Sequence, residues 1–278
     1  MSEQTKSVLQ HYEGEARDND LLAQVTRILD GMQGEPITAN RLAGLDQFHV
    51  RGLKATAEFA ALLDIQPGMQ VLDAGSGLGG PSRYVADNYE CQVTGVDLTR
   101  SFVTVSQLLA ERAGMSESVS YQPGNLLALD FPDEHFDVVY TQHVVMNIHD
   151  REQVYREIHR VLKPGGRFGF YDVLAADGKP APLYPLMWAE HSDNSVLLTE
   201  AETRAALEQA GLVPETWNDV TEMTIEWLAN QPSPPLPQGP NLMLVMGPRF
   251  AQMTANFAQN LRENKLRLVM AVSVRNHE

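Results

Sequence analysis
The sequence predicts an α/β fold, a mostly parallel sheet with helices on both faces. Two observations predict it. Strand-like apolar runs succeed one another between Gly68 and His277, with helix-like segments between the early ones. Glycine or proline marks most joins, as at Pro67-Gly68, Pro164-Gly165-Gly166 and Gly211. Strands alternating with helices need crossover connections, and these lay helices on both faces of a parallel sheet.

Residues 1–66 read as a helical extension ahead of residues 67–278. The first strand, Met69–Leu72, runs into Asp73 and the turn Gly75-x-Gly77-x-x-Gly80, where a helix opens and continues to Asn88. The second strand, Gln92–Val96, ends at Asp97, and the third, Val119–Gln122, leads to Asn125-Leu126. The fourth, Phe136–Tyr140, leads to Gln142-His143. A helix starts at Asp150, where Asp-Arg-Glu-Gln153 is capping-box-like and Val154, Ile158 and Leu162 share one side. His159, between Glu157 and Arg160, is expected on the solvated side. Arg167–Val173 is the fifth strand. Thr199-Glu-Ala-Glu202 is a capping box, and Gly211 stops that helix. The sixth and seventh strands are Val213–Val220 and Leu266–Val274. Residues 221–265 hold a proline-rich stretch, Gln231–Pro240, and a helix with Phe250, Met253, Phe257 and Leu261 along one side. This insertion and residues 174–198 are expected to cap a substrate site.

The formal net charge is −15, which repels phosphate backbones and argues against nucleic acid as a partner. One cysteine, Cys91, allows no intrachain disulfide and points to a reducing compartment. Met1-Ser-Glu-Gln-Thr-Lys6 has no apolar signal, and no apolar run reaches the ~18 residues of a membrane span. A cytoplasmic protein, monomer or homodimer, is expected. The histidines and Cys91 show no ligand-like spacing, so no metal is expected.

Glycines let a ligand approach the backbone at the carboxyl edge of the sheet, and a carboxylate ending the second strand accepts ribose hydroxyls. Asp97 answers that description for a dinucleotide as for any nucleoside. Asp73 discriminates. A carboxylate directly before the turn sits poorly beside a pyrophosphate and suits a ligand bearing a sulfonium and an α-ammonium, as S-adenosylmethionine does. It equally suits a brace for the turn through backbone N–H groups.

Val71-Leu-Asp-Ala-Gly-Ser-Gly-Leu-Gly79, Asp97, Asn125, Phe136-Asp137 and Leu162-Lys-Pro-Gly-Gly166, in this order, resemble the motifs of class I S-adenosylmethionine-dependent methyltransferases. The resemblance is strong over Gly68–Val173 and weak beyond. It implies a Rossmann-like seven-stranded sheet with the last strand antiparallel. It implies S-adenosylmethionine as cofactor, S-adenosylhomocysteine as product, and Asp73, Gly75, Ser76, Gly77, Gly79, Asp97, Leu98, Asn125, Leu126, Gln142 and His143 as cofactor residues. Asn125 stands where that family usually has Asp, so an amide replaces a carboxylate at the adenine. Asp46-Gln-Phe-His-Val-Arg-Gly52, His143-Val-Val-Met-Asn147 and Tyr184-Pro-Leu-Met-Trp-Ala189 are similar to small-molecule enzymes of the sarcosine/dimethylglycine, tocopherol and phosphoethanolamine types.

Methyl transfer is an in-line displacement, and a base is needed only if the nucleophile arrives protonated. His143 and His49 are the candidates, with Tyr171 and Asp172 expected to end the fifth strand facing the acceptor. Asn147 would orient the acceptor, Tyr184 and Trp188 would offer aromatic faces to a cation, and Tyr12 would reach over from the N-terminal extension. The expected acceptor is a small molecule with an N, O or C nucleophile, an amine slightly favoured. The alternatives are an NAD-dependent oxidoreductase and a non-catalytic S-adenosylmethionine-binding protein.

Overall fold
The computed structural model describes residues 15–32, 36–230 and 249–276. Helices α1 (Glu15–Gly31), α2 (Ala39–Asp46) and α3 (Gly52–Ala60) precede the sheet. Strand β1 (Gln70–Ala74), helix α4 (Gly80–Tyr89), β2 (Gln92–Asp97), α5 (Arg100–Arg112), β3 (Val119–Pro123) and β4 (Phe136–Gln142) follow. After a 3-10 turn at Val145–Asn147 come α6 (Arg151–Val161), β5 (Leu162–Ala175), α7 (Glu200–Gln209) and β6 (Leu212–Asp219). The described chain ends with α8 (Thr221–Ala229), α9 (Phe250–Arg262) and β7 (Leu266–Arg275).

The seven strands lie in the order β3-β2-β1-β4-β5-β7-β6. β7 runs antiparallel between β5 and β6, and the pairings among β1 to β5 are parallel. The chain order reverses at β1, which is paired with both β2 and β4. Ligands bind α/β sheets at such a reversal, outside the carboxyl ends of the strands.

Side chains alternate across the sheet, so each strand supplies two cores. Val71, Val138 and Tyr171 join Ala55, Phe59 and Phe257 on one face. Leu72, Val139 and Phe170 join Val154, Ile158 and Leu207 on the other. A third cluster joins α1 and α2 to Phe102, Val105 and Leu109 of α5. Gly169 leaves room for Phe59 and Leu63 to lie directly on β5, and burial of such a side chain contributes about 1.5–3 kcal/mol. Asp150 Oδ1 accepts from the Gln153 N–H at 3.0 Å, and Thr199 with Glu202 forms a full capping box. Each cap contributes about 1 kcal/mol.

Three differences from the sequence reading have physical causes. β5 begins at Leu162, not Arg167, because Leu162 already pairs with Phe136. His159 is half-buried rather than solvated: its Nε2 lies 3.2 Å from Asn276 Oδ1, where the end of β7 and the Gly211 turn close over it. The described residues of 221–265 buttress the segment after β5 instead of walling the cavity described below. The Asn260 amide accepts from the Leu183 N–H at 2.8 Å and donates to the Leu183 carbonyl at 2.9 Å, and Asn256 donates to the Pro185 carbonyl at 3.0 Å. The proline-rich stretch 231–240 lies outside the described residues. Among the described residues no helix is long and apolar enough to cross a membrane.

Candidate cofactor and acceptor site
A cavity opens at the carboxyl edge of β1, β2 and β4. Asp73, Gly75, Ser76 and Gly77 come to its wall from the first turn, Asp97 and Leu98 from the end of β2, and Asn125 and Leu126 from beyond β3. Gln142, His143 and Asn147 come from beyond β4, His49 from the N-terminal extension and Trp188 from the segment after β5. Thus the sequence candidates from six separate segments share one wall.

The glycine turn is compelled by packing. Gly75 has φ +94°, and a Cβ there would strike Val144. Gly79 has φ +74°, and a Cβ there would enter the Tyr121 ring. Gly79 does not line the cavity. The Asp73 carboxylate is buried and accepts from the Ser82 hydroxyl at 2.5 Å. Burial pushes it up to about 7, Ser82 and Tyr140 draw it down, and the charge of Asp97 pushes it up. Asp97 accepts from the Gly77 N–H and the Thr99 N–H, both at 2.8 Å. Asn125 Oδ1 accepts from the Leu127 N–H at 3.0 Å, an Asx turn that fixes the amide at the wall.

His143 is a non-glycine residue at φ +55°, a conformation that costs about 1–3 kcal/mol and gathers at functional sites. Its N–H donates to the Tyr171 carbonyl at 2.7 Å, which holds the turn in place. Its Nε2 is buried without a hydrogen-bond partner. Burial, and then the neighbouring His49, hold His143 well below the ordinary histidine range. Burial takes His49 down to about 4. The two rings stand 6.0 Å apart, centroid to centroid. Both are neutral at physiological pH.

Tyr171 and Asp172 do not reach the wall. β5 continues to Ala175, so neither ends the strand. Alternation then separates them. Tyr171 lies behind His143, ring centroids 4.8 Å apart, with its hydroxyl on the Val50 carbonyl at 3.1 Å. Asp172 points to the α6 side, fully buried, and accepts from the Met146 N–H at 3.2 Å. Burial pushes it up to about 7 against the charge of Arg151. Tyr184 is also outside the wall. The chain reverses between Leu186 and Ala189, which bond each other's backbone at 2.8 and 3.1 Å. The reversal turns Met187 and Trp188 inward and leaves Tyr184 behind, so the expected aromatic pair is not assembled. Tyr12 lies outside the described residues.

The sequence reading missed Asp46, Phe48, Thr99, Phe102, Val144, Met146 and Met187, all in the wall. Asp46 and Phe48 had a signal, their place in the 46–52 stretch beside His49. Asp46 pairs with Arg83 at 2.7 Å in a buried ion pair, and its Oδ1 has no hydrogen-bond partner. Burial raises it to about 6 against the pull of Arg83. Among the described residues no three His, Cys, Asp or Glu side chains cluster as metal ligands do.

Residues 72–170 match the family model of a methyltransferase domain. The chain is 32% identical over 168 residues to phosphoethanolamine N-methyltransferase 3 of Arabidopsis thaliana, covering 59% of this chain and 34% of that protein. It is 40% identical over 115 residues to the sterol 24-C-methyltransferase of Yarrowia lipolytica, covering 41% of this chain and 30% of that protein. The chain therefore spans about a third of the length of these relatives. In fold it is similar to geranyl diphosphate C-methyltransferase from Streptomyces coelicolor A3(2), with TM-score 0.70, 19% identity, and 99% and 98% of the two chains covered. That structure holds Mg2+, geranyl-S-thiolodiphosphate and S-adenosylhomocysteine.

Proposed function
We propose, from the match of residues 72–170 to the family model of a methyltransferase domain, that the protein transfers the methyl group of S-adenosylmethionine to a small-molecule acceptor. The observation that carries the reading is the pairing of Asp73 and Asp97 on neighbouring strands, with two neutral histidines across the same cavity. Asp97 fits the ribose hydroxyls. Asp73, buried and short of compensating charge, fits a cationic amino acid moiety. The bound cofactor supplies an electrophilic methyl on a sulfonium.

The chain's own residues do the rest. His49, His143 and Asn147 meet the acceptor, with Met146, Met187 and Trp188 excluding water around it. Holding the nucleophile in line supplies about 7–11 kcal/mol of barrier lowering. Among the described residues no lysine or arginine lines the cavity, so nothing in its wall compensates a phosphate. This favours a neutral or cationic acceptor, an amine among them, over a phosphorylated one of the kind named in the Arabidopsis relative. The described parts of residues 1–66 and 174–198 cover the site through Asp46, Phe48, His49, Met187 and Trp188.

Calorimetry with S-adenosylmethionine and with NAD tests the cofactor; binding of NAD alone would refute it. Transfer of label from methyl-labelled S-adenosylmethionine to a fractionated metabolite extract tests catalysis, and saturable binding with no transfer would leave a non-catalytic binding protein.

A further inference from the structure
His49 sits in the cavity wall with its ring held by the buried Thr56 side chain and the Gly52 backbone carbonyl. Its Nε2 lies 3.2 Å from the Gly52 carbonyl and 2.9 Å from Thr56 Oγ1. The carbonyl can only accept. Thr56 has one proton, and it goes to Gln47 Oε1 at 2.7 Å, with Gln142 Oε1 at 3.5 Å beyond it. The Thr56 oxygen must therefore accept from His49 as well. Two acceptors converge on Nε2, so Nε2 carries the ring proton. A neutral imidazole has one proton, and the lone pair falls to Nδ1, which has no hydrogen-bond partner among the described residues.

We propose that Thr56 is a positioning residue: with Gly52 it locks His49 as the Nε2–H tautomer, so that Nδ1 presents a lone pair to the N–H or O–H of the methyl acceptor. The inference rests on the methyl-transfer reading for its purpose, but not for its geometry. In the step it serves, the acceptor atom forms its bond to the methyl carbon. The electron pair of the broken S–CH3 bond stays on sulfur. The proton of the acceptor moves to Nδ1, and from the resulting imidazolium to water. Burial keeps His49 neutral beforehand, so that Nδ1 can accept a hydrogen bond, and the same burial makes the imidazolium short-lived. A tautomer with the proton on Nδ1 would repel the same N–H or O–H. The hydrogen bond made by one ring nitrogen of a histidine commonly decides this choice, and here Thr56 and Gly52, neither of them in the cavity wall, make that bond.

The test is nitrogen NMR on protein labelled with 15N-histidine, with the His49 signals identified by their loss in His49→Gln. In the wild type, Nδ1 should show the shift of an unprotonated ring nitrogen and Nε2 that of a protonated one. Thr56→Val should move both shifts toward the average of two exchanging tautomers, and Thr56→Ser, which keeps the hydroxyl, should restore the wild-type values. A wild-type ring protonated at Nδ1, or identical shifts in Thr56→Val, overturns the proposal. If Thr56→Val fails to fold, the wild-type shifts and those of Thr56→Ser still decide it. Titration with S-adenosylhomocysteine separates the two claims: no binding removes the methyl-transfer reading, whereas the tautomer is read without any ligand.

Discussion

Binding of S-adenosylmethionine at pH 6 should release close to one proton, and the source should be Asp73. Burial lifts this carboxyl from 3.8 to about 7 in the ligand-free protein. At pH 6 it is then about nine-tenths protonated, and at pH 8 about one-tenth. An ammonium or sulfonium beside it favours the charged form and returns it toward the ordinary carboxylate range, a change of about 4 kcal/mol at most. Affinity should therefore rise about tenfold per pH unit below 7 and level off above it. The stability of the free protein has the opposite dependence. A carboxyl raised by folding binds a proton that the unfolded chain has lost, so this group costs stability as pH climbs from about 4 to about 7. His49, at about 4, and His143, lower than its ordinary value, stay neutral throughout and exchange nothing. Calorimetry in buffers of different ionisation enthalpy counts the protons directly. Release at pH 6 that vanishes at pH 8 and in Asp73→Asn is the expected result. No release at pH 6, or the same release in Asp73→Asn, would refute the reasoning.

Asp97→Ala should weaken binding of the cofactor by about 1–3 kcal/mol through lost charged hydrogen bonds, and unchanged affinity by calorimetry argues against the ribose assignment. His143→Ala should lower turnover more than cofactor affinity, with equal losses making it a cofactor residue. Because residue 143 sits at φ +55°, His143→Gly should be more stable than His143→Ala by about 1 kcal/mol in urea denaturation; equal midpoints would show that the strained turn is relaxed. Arg83→Met should cost about 3–5 kcal/mol by leaving the buried Asp46 carboxylate unpaired. Adding Asp46→Asn should recover much of that loss, and a single variant with wild-type stability would show that Asp46 is protonated in the fold.

The part of the cavity wall proposed to hold the cofactor is legible because its residues are tied to strand ends. Asp73, Asp97, Asn125 and Gln142 follow apolar runs whose direction is shared in a parallel sheet, so their side chains arrive at one edge whatever the details. The acceptor half was legible only in places. Tyr171 and Asp172 are expected near a strand end at Val173, but pairing with β7 carries β5 on to Ala175. A shift of two residues moved both behind the wall, and the alternation of side chains put them on opposite faces. His159 was expected in water because its neighbours are charged, and nothing local announces that Asn276 closes over it.

The succession of strands and helices, the glycine turn and the two carboxylates that flank it are written in the chain locally. These are local: periodicity, turn chemistry and the positive φ of a few glycines act over a handful of residues. Only the tertiary structure decided which distant segments complete the cavity. Asp46 and His49 reach it from before the sheet, and Met187 and Trp188 through a reversal buttressed by α9. It also decided protonation. Asp73 at about 7 and His49 at about 4 differ from free side chains because burial withdraws water from the charged form, and burial belongs to the packed molecule rather than to any stretch of chain.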